Sequence, residues 1–476
     1  MSAPLKELGT RQDNVREGAP STRAPLSRYR EKFYGSCSSY GQSLFDLTDA
    51  LLTYPGPVCC PAHLSLEAEV GHGALYKALS RGEIDAGALR LIQLGVFRDL
   101  ELSPVFSVDC TSIARTDSPT SPDRHMCHLS NRLGRQPGWS YQMIVAQVPG
   151  HNSWNLPVEV TRVGLGSDKE SAALESMKAI SEELGCHCIF VFDAGYSSSH
   201  LTFLARKMNL DVTILMRLSS SQVFFETPRP KIPGTKGRDR AYGARFELKE
   251  GGSRRSPDAT FSWTEESYGN VEVAVTGPLR MEARWQNNAW MGPKIVNGKR
   301  VPTPKTDGDV LEVRVDKMPG RSTGGNLWLW SSTPLAGATL EEVQALVRAY
   351  FHRFDIEHMF RFLKQTLGLG GYSCQQPGSF DTWFTVVVVA FTQLLLARDS
   401  VEDQRLPWEK ERILLTPGRV RRALNTSLRD AWRPVGRSFI PQGGPGAPKG
   451  VAQRKRERHR VLRPRSAVVK KVRQTT

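Results

Sequence analysis

No uninterrupted apolar run in this sequence reads as long enough to be expected to cross a bilayer. The greasiest stretch, "WFTVVVVAFTQLLLA" from Trp383, has fifteen residues, including Thr385, Thr392 and Gln393, where a spanning helix needs about 20 predominantly apolar ones. It is expected to be a buried helix, and no membrane partner is expected. The opening "MSAPLKELGT" has no apolar core of a leader, so no signal peptide is expected. Cysteine is sparse and irregular: eight residues and no CxxC pair. That spacing excludes a dense disulfide framework and fits reduced cytoplasmic thiols. No unit repeats along the chain, which excludes a solenoid. Acids are short as well, 48 against 64 Lys and Arg, leaving +16 and a pI near 9.6. A balance this basic points to a polyanionic partner.

What is present is length. The 476 residues exceed one ordinary core. Residues 1–28 are polar, with Pro and Arg, and are expected to be disordered. Residues 29–100 have helical periodicity; Gly71 and Gly73 in "VGHGALYKAL" separate two short helices as in a helix-turn-helix, so this region is expected to be a helical, DNA-binding N-terminal domain. From residue 101 the period changes. "PVFSVDCTSIA", "WSYQMIVAQVPG" and "NLPVEVTRVGLG" read as strands, "DKESAALESMKAISEELG" as an amphipathic helix, "CHCIFVFDAG" as a buried strand, "SSHLTFLARKMN" as a helix and "DVTILMRLS" as a strand. The order β-β-β-α-β-α-β predicts an α/β, ribonuclease H-like catalytic domain over 101–219. Residues 220–325 alternate in period two between Gly-, Pro- and Lys-rich loops and are expected to form a β-rich insertion. The core is expected to resume over 326–372, followed by a helical region over 373–440. A flexible basic tail is expected over 441–476, where Val451–Thr476 carries ten Lys or Arg against one acid, a net +9.

Three acids stand where this order would bring them together. Asp109 ends the first strand, Asp193 ends the central buried strand, and Glu357 lies in "YFHRFDIEHMFRFLK", read as one helix over Tyr350–Lys364. On one helix, Tyr350, Arg353, Glu357 and Lys364 share an arc of about 60°. Clustered carboxylates repel one another unless a divalent cation neutralises them. Mg²⁺ (or Mn²⁺), as two ions, suits such hard oxygen ligands and phosphodiester transfer. Arg353 and Lys364 are then expected to hold DNA phosphates, and Tyr350 to donate to a phosphate or stack on a displaced base. The plainer alternative for each residue is a strand-end acid, a turn former or a solvated helix face. Asp117 and Asp123 compete with Asp109, but their loop "RTDSPTSPDR" favours turn roles. Arg115 and Arg124 are read either as DNA contacts or as ordinary loop cations. "HMCH" and "CHC" raise zinc; small buried cysteines are the preferred reading.

Tyr350-x2-Arg353-x3-Glu357-x6-Lys364 resembles the Y-R-E-K signature of DDE transposases from bacterial insertion sequences, and "VDCT" and "FDAGY" resemble that family's aspartate motifs. "SPDRHMCH…PGWSYQMIVA" and "HRFDIEHMFRFLKQTLG" resemble an actinobacterial-like subgroup. The resemblance implies that Asp109, Asp193 and Glu357 are the catalytic and metal-binding acids of a cut-and-paste transposase. It implies a homodimer in a synaptic complex on double-stranded DNA, at terminal inverted repeats and target, in the bacterial cytoplasm near the nucleoid. It also implies that a Trp of the insertion holds a flipped base beside a hairpin intermediate; Trp263, Trp285 and Trp290 are the candidates. The alternatives are a domesticated or inactive relative that only binds DNA, and a metal nuclease without strand transfer.

Overall fold

The computed structural model describes residues 23–432 and 456–462, apart from 68–70, 130–133, 151–152, 165–168, 229, 231, 233, 235, 238–239, 250–251, 283–294, 297–298, 301–302, 319–322 and 412–413. Helices come first: α1 (Arg23–Gly35), α2 (Gly41–Thr53), α3 (Pro61–Glu67), α4 (His72–Arg81) and α5 (Ala86–Asp99), with β1 (Cys37–Ser39) and β2 (Glu83–Ile84) paired between them. α1 begins inside the segment expected to be disordered, so residues 23–28 are helical; residues 1–22 lie outside the described ones. β3 (Val105–Ala114), β4 (His125–His128), β5 (Arg135–Gln147) and β6 (Asn155–Val163) follow, then α6 (Lys169–Leu184), β7 (Cys188–Phe192), α7 (Ser198–Lys207) and β8 (Val212–Arg217).

β3 is antiparallel to β5 and β5 to β6, whereas β3, β7 and β8 run parallel. The order β6-β5-β3-β7-β8 within a large mixed sheet is consistent with a ribonuclease H-like core. β4, a four-residue strand, was too short to register as a period. The next stretch holds β9 (Val223–Glu226), β10 (Arg245–Glu247), β11 (Ala259–Glu265), β12 (Gly269–Glu282), β13 (Ile295–Val296), β14 (Lys299–Arg300) and β15 (Lys305–Val315), and leads to β16 (Gly325–Ser331). β16 pairs with both β8 and β15, so most of these strands prolong the central sheet rather than form one of their own.

The chain closes with α8 (Leu340–His352), α9 (Asp355–Gln365), α10 (Pro377–Ala397) and α11 (Pro417–Trp432). α10 extends the apolar run noted above to 21 residues, which corrects the expectation that it is too short: by length and composition it could span a membrane, but it is mostly buried inside the protein. It packs against α1, α2, α4 and β6. Its polar residues are anchor points: Gln93 Nε2 donates to Thr392 Oγ1 (3.2 Å) and Arg30 Nη1 to Gln393 Oε1 (2.6 Å). Leu44, Leu51 and Leu79 of the first helices share one core with Val387 and Leu394 of α10 and with Phe106 and Phe190 of the sheet. These helices therefore have their apolar faces in the same core as the sheet, and a separate N-terminal domain is not what the packing shows.

The stretch expected as one helix from Tyr350 to Lys364 is two. The reason is that its apolar residues go to different cores. α8, started by a Thr339–Glu342 capping box, buries Val343, Leu346 and Val347 against Ile189, Val191 and Leu329. α9 buries Ile356, Met359 and Leu363 in the core that holds Phe190 and Phe192. Alternation along β7 puts these two sets on opposite faces of the sheet. At the joint the N–H groups of Arg353, Ile356 and Glu357 donate to the carbonyls of Tyr350, Arg353 and Phe354, i→i−3 bonds that tighten the turn and redirect the axis. Residues 456–462, expected to belong to the flexible tail, are tied down, with Leu462 bridged to His125. His459 N donates to Pro119 O (2.9 Å) and Leu462 N to Arg124 O (2.7 Å). The other residues of 441–476 lie outside the described ones.

Candidate active site

Register and period bring the first two acids together. β3 pairs β7 from Val105↔Ile189 to Val108↔Phe192, so Asp109 and Asp193 are each one residue beyond the last pair. Both have the parity of Val105, Ile189 and Val191, whose side chains line the α8 face. Cys110 N donates to Asp109 Oδ1 (2.7 Å), and Gly195 N to Asp193 Oδ1 (2.9 Å) in the turn that follows β7. Glu357 enters from the first turn of α9.

Arg353 sits between acids. Its Nη1 is 3.4 Å from Asp109 Oδ2 and its Nη2 is 3.3 Å from Glu357 Oε1. The residue is only 8 % exposed. Tyr350, on the last turn of α8, is also buried, with the guanidinium carbon 6.0 Å from its ring centre. Lys364 Nζ is half-buried and donates to Ser112 O (3.2 Å). The plainer alternative of a solvated helix face is therefore corrected for two of the four residues: Arg353 and Tyr350 are inside, because the α8–α9 joint turns them inward over β3.

Electrostatics follow from this crowding. Burial, then the neighbouring Asp193, push the Asp109 carboxyl up to about 6, with Arg353 pulling the other way. Burial opposes the charge on Arg353, but Tyr350, Asp109, Asp193 and Glu357 outweigh it and its pKa rises. Burial lowers the Lys364 pKa, against the pull of Asp109.

A second layer ties the aspartates to each other. The buried Tyr196 hydroxyl is 3.1 Å from Cys110 Sγ and accepts from Gln142 Nε2 (2.8 Å). Lys169 lies over the Tyr196 ring, 4.4 Å from its centre, and donates to Gly195 O. In the sequence Lys169 stands at the start of "DKESAALESMKAISEELG" without a role of its own; only the fold puts it beside the Asp193 turn. Tyr196 stood in "FDAGY" without a role of its own. On the far side, Gln147 Nε2 donates to Ala349 O (2.7 Å) and Ser107 Oγ (2.9 Å), fixing the end of α8 to β3.

Other candidates fall elsewhere. Arg115 and Arg124, offered as DNA contacts, are buried. Arg115 lies between Trp139 and Phe380 and donates to Tyr372 O, while Arg124 donates to the carbonyls of Ser121, Arg115 and His459. Asp123 occupies a left-handed turn and faces Arg162 at 3.7 Å. His125 and Cys127 are buried in β4 around Ser140. Trp263 sits on β11 and donates to Glu265 Oε1 (2.7 Å); Trp285 and Trp290 lie outside the described residues.

The donor chemistry suits a hard divalent cation: three carboxylates, two of which raise the pKa of the third. Their placement does not. Among the described residues no three Asp, Glu, His or Cys side chains stand close enough together to hold one ion, whether Mg²⁺ at the acids or zinc at the cysteines.

No curated protein matches this chain. Among solved structures, a cryo-EM structure of the piggyBac transposase synaptic complex with hairpin DNA aligns at 9% identity and a TM-score of 0.37, over 94% of this chain and 82% of that one. The family described as "DDE superfamily endonuclease" matches residues 39–288, a span that includes Asp109 and Asp193 and stops before Glu357. With more than half of its length matched, the chain belongs to the DDE superfamily endonucleases.

Proposed function

We propose that this endonuclease-family chain is the transposase of a bacterial insertion sequence, of the kind marked by the Y-R-E-K signature. In this reading it works in the cytoplasm near the nucleoid and acts as a homodimer on double-stranded DNA. It binds terminal inverted repeats, cuts at the element ends and joins them to target DNA. The observation that carries the reading is one buried arginine, Arg353, in contact with both Asp109 and Glu357, with Asp193 an electrostatic neighbour of Asp109.

The chain's own groups divide the work. Asp109, Asp193 and Glu357 are the catalytic acids. When bound there, Mg²⁺ or Mn²⁺, as two ions, would supply the positive charge that sharpens the attacking hydroxyl and takes up charge on the leaving oxygen. Arg353 offers a planar pair of N–H donors to a phosphate, and Lys364 a point charge at the rim. The buried Tyr350 ring backs Arg353, a positioning role rather than the stacking on a base expected from the sequence. Tyr196, Cys110 and Gln142 hold the two aspartate segments in fixed relation.

The test is a gel shift and a cleavage assay on one labelled fragment carrying the inverted repeats that flank the gene. Asp109→Ala, Asp193→Ala and Glu357→Ala are each expected to abolish cutting and leave end binding unchanged or slightly tighter, since removing an acid near phosphates lessens repulsion. Near wild-type cutting by any one variant would remove that residue from the trio. Binding without cutting by the wild-type chain would favour the DNA-binding relative instead.

A further inference from the structure

We propose that Arg353 is a built-in counter-ion that keeps divalent cations out of the acid cluster until DNA draws it away. The inference rests on the reading of Asp109, Asp193 and Glu357 as the metal-binding acids. It starts from the mismatch between that donor set and its spacing. Carboxylates crowded together need a positive charge among them, the more so where one, Asp109, has a side chain only 16 % exposed. Here the chain supplies it: one guanidinium reaches Asp109 from β3 with Nη1 and Glu357 from α9 with Nη2. Tied to Arg353, these two carboxylates do not join Asp193 in a set able to share an ion.

The contacts are built to be exchanged. At 3.4 and 3.3 Å they are longer than the 2.7–2.9 Å typical of charge-assisted bonds, so each is weak for an ion pair. The two N–H groups go to different acids, which forgoes the bidentate fork that a single phosphate offers. Arg353 also sits at the α8–α9 joint, so its side chain can turn without breaking the interior of either helix. A DNA phosphate arriving at the rim gives the guanidinium a better partner and frees Asp109 and Glu357 together. Metal and DNA then bind with positive coupling, which by linkage must be reciprocal. The consequence for function is protective: the chain does not arm its own chemistry in the absence of an element end.

The coupling is read without activity. Mn²⁺ binding to the full chain is measured by the loss of the free-ion EPR signal, with and without a pre-cleaved end duplex. Arg353→Gln is expected to bind Mn²⁺ without DNA at least about tenfold tighter than wild type, within the ordinary range of coupling energies. It should also lose most of the gain that DNA gives the wild-type chain. Arg353→Lys, which keeps the charge but reaches one acid at a time, is expected to fall between. If Arg353→Gln fails to fold, the Lys variant and the DNA dependence of the wild type still decide. Equal Mn²⁺ affinity in wild type and variants, or no effect of DNA on the wild type, overturns the counter-ion role and leaves the metal-dependent reading standing. No Mn²⁺ binding in any sample, with or without DNA, overturns both.

Discussion

Asp109 combines burial, a like-charged neighbour and a loose arginine partner, and the balance between them has a measurable sign. Its carboxyl is pushed up to about 6 from the ordinary 3.8, by burial first and Asp193 second. The folded chain therefore keeps a proton that the unfolded chain releases, and this group's contribution to stability declines as pH rises from about 4 to about 6. Asp109→Asn removes the desolvated charge. Above that window it should stabilise the chain by on the order of 1–3 kcal/mol and flatten that part of the pH profile. Melting temperatures of both proteins from pH 4 to 8 check this. A variant less stable than wild type at pH 7 would mean that the Arg353 contact outweighs burial. The acids were legible one by one, because strand ends and turns leave local signals. Arg353 was legible as a cation for a phosphate on the helix that carries Glu357. Its position between two carboxylates depends on β3 and α9 meeting, which no local pattern encodes.

At the scale of elements, the break between α8 and α9 shows how packing overrides a helical pattern. The stretch 350–364 has no Gly or Pro, and its apolar residues alone allow one helix. Two cores on opposite faces of the sheet require two. A second joint holds the far end of α9. Gly368 has φ 70°, and a Cβ there would lie 2.3 Å from Val58 O, beside the bond from Val58 N to Thr366 O. Gly368→Ala should therefore cost about 2–4 kcal/mol from left-handed strain and overpacking, seen as a lower urea midpoint. Gly370→Ala, with nothing within 4 Å of the added Cβ, serves as the control and should move the midpoint little. Similar shifts for both would show that the loop carrying Val58 gives way easily.

Over the whole molecule, the last residues divide into a docked stretch and a basic end. Truncation after Leu462 removes five of the tail's cations, Arg463, Arg465, Lys470, Lys471 and Arg473, and keeps the bonds of His459 and Leu462 to the 119–124 loop. It should flatten the slope of log K against log[salt] for DNA by up to about 0.9 for each phosphate that the tail no longer neutralises, and leave the melting temperature alone. Truncation after Lys455 removes the docked stretch as well and strips Arg124 of its bond to His459 O, so it should also lower the melting temperature. An unchanged salt slope in both would show the basic end to be idle. An unchanged melting temperature in the second would show the docking to be incidental.

The sequence by itself determined most of the order of strands and helices in the core, the basic balance, and the three acids and three partners worth watching. Each of these is a local property: a period of two or 3.6, a charge count, a residue at the end of an apolar run. Tertiary structure decided the rest. It prolonged the central sheet through β16 into the region read as a separate insertion, merged the first helices with α10 in one core, and buried Arg115 and Arg124. It also turned Arg353 inward between Asp109 and Glu357. These outcomes depend on which distant segments share a core and on where a charge comes to rest when solvent is excluded, and both are set by contacts between residues that the linear order keeps apart.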